Sequence, residues 1–223
     1  MNVLSNQLDV ESADLLLKVK AEKPNLRTLC GLTHEETELN LSYKALGPGD
    51  AKLLGPEISV IPSITSLSLA GNLLGDDGVE AFSIGLKENR SLKTLDLSDQ
   101  GFGHRIGPRG ATALASAIAV MTSVTSVSLL ANRFDDETVA MLLKLKEEKP
   151  ALTTLCGLKP NQTNVDLSFK KLGPQDAKLL APEILVHASM TRLDVRANWR
   201  FGEEDKALLR RAIAGRSGFE LLL

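Results

Sequence analysis

The stretch Gly101-Phe102-Gly103-His104-Arg105-Ile106-Gly107 holds glycines and cations in the manner of an anion-binding loop. Backbone N–H groups freed by glycine, with arginine alongside, are a common way to grip an anion. The spacing G-x-G-x-x-x-G is one residue longer than the dinucleotide fingerprint. The segment therefore reads first as an insertion, with Phe102 at a buried position. Its second reading is a basic contact loop in which His104, Arg105 and Arg109 meet an acidic partner. His34, His104 and His187 are distant from one another, with neither metal-ligand spacing nor a nucleophile–base pair. Cys30 and Cys156 occupy identical TLCGL pentapeptides and read as reduced, buried small hydrophobes, too far apart for a mutual disulfide. No catalytic residue, metal site or cofactor is expected, and neither is a small-molecule substrate.

The elements that must position these residues follow from composition. Of 223 residues, 41 are leucine and only 4% are aromatic. A single irregular core normally draws much of its buried area from aromatics, so many equivalent small apolar sites are indicated instead. With 43% hydrophobic and 24% charged residues the chain is not disordered. Twenty-six basic residues against 28 acidic ones argue against nucleic-acid binding by counterion release.

The leucines recur in a frame. Four segments begin SITSLSLAGNLLG at Ser63, SLKTLDLSDQGFG at Ser91, SVTSVSLLANRFD at Ser123 and SMTRLDVRANWRF at Ser189. Leu-x-Leu alternation is a strand with one buried face. The Asn or Gln that follows (Asn72, Gln100, Asn132, Asn198) is suited to tie down the backbone where the chain leaves the strand. Apolar residues at helical spacing fill Gly75 to Asn89 and Phe134 to Lys149. The pattern L-x-x-L-x-L-x-x-N-x-L resembles the leucine-rich repeat family, and strand plus helix at about 28 residues is most similar to its ribonuclease-inhibitor-like subclass. The resemblance implies a right-handed α/β solenoid, a horseshoe with a parallel concave sheet, convex helices and a protein-binding role. Units around Leu39 and Val165 carry Lys44 and Lys170 where Asn is expected, so their strands should be short and their turns poorly tied.

A duplication lies above the repeat. LLLKVKAEKPNLRTLCGL (15–32) aligns with MLLKLKEEKPALTTLCGL (141–158) at an offset of 126, and the equivalence runs over blocks 15–75 and 141–201 without a gap. Strand leucines are 28 or 32 residues apart, except for steps of 10 from Leu29 to Leu39 and Leu155 to Val165. Ten residues leave no room for a crossover helix, so TLCGL should form a compact loop that opens or kinks the horseshoe. Pro56 and Pro182, in the middle of duplicated helical segments, should break each helix in two.

The chain is therefore expected to be a single domain over 1–223, with an N-terminal helical cap at 1–25 and a C-terminal helix and tail as cap at 202–223. The candidate partner-binding residues on the concave face are Tyr43, Ser68, Asp96, Asp99, Asp166, Phe169, Asp194, Arg196 and Trp199. Leu130 falls in the same outward rows, and Trp199 has the alternative of capping the open edge. Tyr43 and Phe169 are related by the duplication, and exposed aromatics are typical interface anchors. Their alternative is to fold over the turn as cover for a core edge. The favoured function is a non-catalytic scaffold for a protein partner. The alternatives are a structural subunit docking through its apolar tail and convex helices, and a regulator of a GTPase. No signal peptide or membrane span is evident, so an intracellular, cytoplasmic protein is expected.

Overall fold

The computed structural model describes residues 1–223. Helices and strands alternate throughout: α1 Val10–Glu22, β1 Glu38–Asn40, α2 Pro48–Ser59, β2 Ser66–Ser68, α3 Gly75–Leu86, β3 Thr94–Asp96, α4 Pro108–Val120, β4 Ser126–Ser128, α5 Asp136–Glu148, β5 Asn164–Asp166, α6 Pro174–Val186, β6 Arg192–Asp194, α7 Glu203–Ala212 and β7 Glu220–Leu222. All strand pairs are parallel and in step, Leu39 beside Leu67, Leu95 and Val127, then Val165 beside Leu193 and Leu221. Leu67, Leu95, Val127, Val165 and Leu193 belong to one core cluster of 52 buried residues, and Leu39 and Leu221 pack against it. The fold is an α/β leucine-rich-repeat solenoid.

The concave sheet is not continuous. Strands β1–β4 form one sheet and β5–β7 another. The cause is the second TLCGL loop. Thr154 bridges Ser126 in parallel, and the chain then doubles back so that Cys156 bridges Ser128 antiparallel. Gly157 makes the reversal with φ of 72°, close against Ser128, where a side chain would both strain the backbone and collide. The loop takes the edge of β4, and β5 starts afresh.

The same loop in the first half is tied in the same way, by an Asn2–Cys30 antiparallel bridge. Asn2 is thus the equivalent of Ser128 at the offset of 126. Other pairs obey the same offset. The Ser5 N–H meets Asp50 as the Ala131 N–H meets Asp176, and Asp9 caps α1 as Asp135 caps α5. The internal equivalence therefore extends past 15–75 and 141–201, to residues 1–97 and 127–223.

A buried carboxylate holds each TLCGL loop. Glu183 accepts from the Thr154 hydroxyl (2.6 Å), the Leu155 N–H (2.6 Å) and Lys146 Nζ (2.8 Å). Glu57 accepts from Thr28 (2.6 Å), the Leu29 N–H (2.6 Å) and Lys20 (3.0 Å). The threonine oxygens in turn accept the N–H groups of Cys30 and Leu32, or of Cys156 and Leu158. A ten-residue step without a helix is stable because this hub satisfies its backbone.

Several expectations need correction. α2 and α6 run unbroken through Pro56 and Pro182. Both prolines lie on the solvent face, where the carbonyl four residues earlier, deprived of its partner, can bond water. Strands β1 and β5 are as long as the others, three residues each. The turn at Lys44 is not loose, because the neighbouring Asn72 reaches across. Its oxygen accepts the Lys44 and Leu46 N–H groups (3.0 and 3.1 Å), and its nitrogen donates to the Leu41 and Leu69 carbonyls (2.9 and 2.8 Å). Asn198 ties Leu172 and Leu167 in the same manner. Phe102 is not buried but 98% exposed. Its frame position is taken by Ile106, whose N–H meets Asn132, so the extra residues precede the ladder position and push Phe102 out. In the unit of β6, Phe201 rather than Arg200 enters the core.

Candidate functional site

The concave face is built from strand exits. At several exits an Asx turn folds the chain: Asp96 accepts the Ser98 N–H and hydroxyl (3.0 and 2.7 Å), Asp166 those of Ser168 (2.9 and 2.6 Å), and Asn40 the Ser42 N–H (3.0 Å). The Ser168 hydroxyl and N–H hold the Asp166 carboxyl below the usual aspartate range. Ser68 pairs with Ser42 at 2.6 Å. These acids are tied to the backbone of their own turns, which preorganises the surface.

Asp194 departs from the expected exposed row, since it is only 5% accessible. Arg196 clamps it through Nε and Nη2, at 3.0 and 2.6 Å, and holds its pKa low. The acid is covered by its own partner, and only Arg196 faces solvent. Leu130, expected on the open face, is 4% exposed. It belongs to the buried seam beside the sheet break, where Asp176 at the start of α6 accepts the Ala131 N–H.

Tyr43 and Phe169 are 68% and 77% exposed. Each adopts the left-handed backbone region, with φ of 56°. The equivalent places, Gly71, Asp99, Ala131 and Ala197, are left-handed too, so the turn imposes the conformation. A residue with a side chain pays about 1–2 kcal/mol there. Gly71 avoids that cost, and its bare backbone seats the Tyr43 ring, which any Cβ would overlap. The ring is thus supported on one face and open on the other.

His104, Arg105 and Arg109 share a polar cleft of about 610 Å³ with Asp76, Asp77 and Asp135. Arg109 is engaged with Asp77 and Glu80 of α3. His104 also borders a cleft of about 630 Å³ with Leu8, Pro48 and Leu73. Arg105 also lines a groove of about 640 Å³ that holds Asp99 and Trp199. Lys171 pairs with Asp99 at 3.2 Å and joins turns 72 residues apart across the break in the sheet. Phe102, Arg133, Lys171 and Arg200 complete this groove, and sequence reasoning did not assemble them. Their one shared signal is that each lies in the turn after a strand.

Beneath that groove lies Asp176. Burial pushes its pKa up to about 6, against the pull of the Gly173 and Ala131 N–H groups and the charges of Arg105 and Arg200. A carboxyl raised in the folded state loses stabilising effect as pH climbs from its unfolded value, near 3.8, through about 6. Asp176→Asn should remove this dependence. Between about pH 4.5 and pH 7 the stability difference between wild type and D176N should move against the wild type by on the order of 1–2 kcal/mol, read by urea denaturation.

The thiols are not nucleophiles. Burial first, then the charges of Glu57 or Glu183, push both Cys30 and Cys156 well above the ordinary thiol range, and both are free.

Residues 60–83 and 88–115 match the Leucine Rich repeat family model. The two windows cover β2 with most of α3, then β3 with the start of α4. Together with the stacked parallel strands, the match supports a leucine-rich repeat protein. Leucine-rich repeats generally mediate protein–protein interaction, through surfaces built by stacking units. No helix is long and apolar enough to cross a membrane.

Proposed function

We propose that this chain is a non-catalytic, cytoplasmic interaction scaffold of the ribonuclease-inhibitor-like kind, binding a protein partner through its concave strand face. The observation that carries the reading is the pair Tyr43 and Phe169. Two large aromatics at duplicated positions stay exposed on backbones that favour glycine. Local strain that the surrounding structure sustains clusters at functional sites, and rigid exposed aromatics are the usual anchors of an interface. Ser68, Asp96, Asp166 and Arg196 supply a polar rim around them. Buried Asp194 contributes by orienting Arg196.

The anchors are dispensable for folding. Y43G/F169G should leave stability within about 0.5 kcal/mol of wild type, because relief of left-handed strain offsets the greater chain entropy of glycine. A loss above about 2 kcal/mol by urea denaturation would assign both rings to the core instead. The alanine pair Y43A/F169A should likewise stay folded while losing the partner, which capture from a cell extract measures.

A further inference from the structure

We infer that the groove over the break between the two sheets is a second binding site, for an acidic, extended segment of a protein partner. It adjoins the concave face, takes Asp99 and Trp199 from it, and does not depend on Tyr43 or Phe169.

Four cations, Arg105, Arg133, Lys171 and Arg200, line a space of about 640 Å³ in which Asp99 is the one acid. The whole chain carries a net charge of −2, so this concentration is not a by-product of composition. The two most exposed large aromatics of the chain stand in the same groove, Phe102 at 98% and Trp199 at 82%. Phe102 is there because the insertion displaced it from the ladder, leaving an apolar ring in water beside guanidinium groups. The Arg105 Nε is shielded from water and has no acceptor in the chain.

The groove is formed by the turns after β3 and β4 on one side of the break and those after β5 and β6 on the other. The Lys171–Asp99 pair joins the two sides. Guanidinium groups take carboxylates in bidentate fashion, and aromatic faces take apolar side chains between them. A peptide alternating acidic and apolar residues fits both. A nucleic acid fits less well, because Asp96 and Asp166 face solvent on the adjoining strand exits and would repel a long polyanion.

Trp199 is the only tryptophan, so all indole emission comes from a residue that lines this groove and the smaller pocket of Val195, Phe201 and Leu223 beside it. The probe is a twelve-residue peptide of alternating Glu and Leu, titrated into the full chain at low salt. Its Gln–Leu counterpart and a single-stranded RNA of similar length serve as comparisons. The Glu peptide should shift Trp199 emission to the blue and bind at least about tenfold more tightly than the Gln peptide. Arg133→Glu/Arg200→Glu, at two exposed positions, should weaken it by at least about tenfold, Arg133→Lys/Arg200→Lys should retain most of it, and Y43A/F169A should leave it unchanged. Equal binding of Glu and Gln peptides, tighter binding of the RNA, wild-type affinity in the charge-reversed variant, or no emission change at millimolar peptide overturns the inference. Loss of peptide binding in Y43A/F169A overturns the independence of the two surfaces.

Discussion

Glu183→Ala should lower the unfolding free energy by about 3–5 kcal/mol, as expected when one partner of a buried, hydrogen-bonded charge is removed. The carboxylate is 4% exposed and has three donors: a threonine hydroxyl, a backbone N–H and a lysine. Its removal strands all three. It also frees the Thr154 hydroxyl, which organises the Cys156 and Leu158 N–H groups. The loop between β4 and β5 would then have no fixed path, and the sheet break would become a hinge. Glu183→Gln should fall between, since its amide keeps one acceptor and presents a donor to another donor. A urea-denaturation loss under about 1 kcal/mol for the alanine variant would place Glu183 among ordinary surface ion pairs and contradict the hub. Glu57 is the internal control. There burial acts to raise the carboxyl's pKa, but donation from Thr28, Leu29 and Lys20 outweighs it and holds the group ionised.

Asn72→Ala should cost about 2–4 kcal/mol, because a buried amide that bonds four backbone groups leaves several of them without partners. The loss is shared between two units, since Lys44, Leu46 and Leu41 belong to the preceding turn. Hydrogen exchange should therefore quicken at Lys44 and Leu46 as well as around residue 72. Protection lost only within the unit of β2 would show that each turn stands alone. Asn132→Ala should be milder, because its oxygen accepts only the Ile106 N–H.

The ladder was legible because leucine spacing repeats six times in one register, and one strand period with one buried face leaves little freedom. The duplication was legible for the same reason. Phe102 was misplaced because an insertion of four residues can enter on either side of a ladder position. Both Phe102 and Ile106 are apolar, and only packing decides which turns inward. The prolines misled because sequence does not say which helix face meets solvent. Asp194 read as exposed from its strand position, and its coverage by Arg196 depends on a rotamer. The first eight residues share little identity with 127–134, so their equivalence appears only in shared hydrogen bonds. The basic groove was the least legible feature of all. Its residues come from turns separated by up to about one hundred positions, and they meet across the sheet break.

Partner binding should rest on the exposed concave face, anchored by Tyr43 and Phe169. Quantitative capture from an extract of the protein's own cells, with wild type and Y43A/F169A compared at matched folding by their urea midpoints, is the decisive measurement. A reproducible partner should be retained by the wild type and lost at least about tenfold by the double variant, as expected when two hot-spot residues are truncated. Retention of every partner by the folded double variant would contradict that assignment.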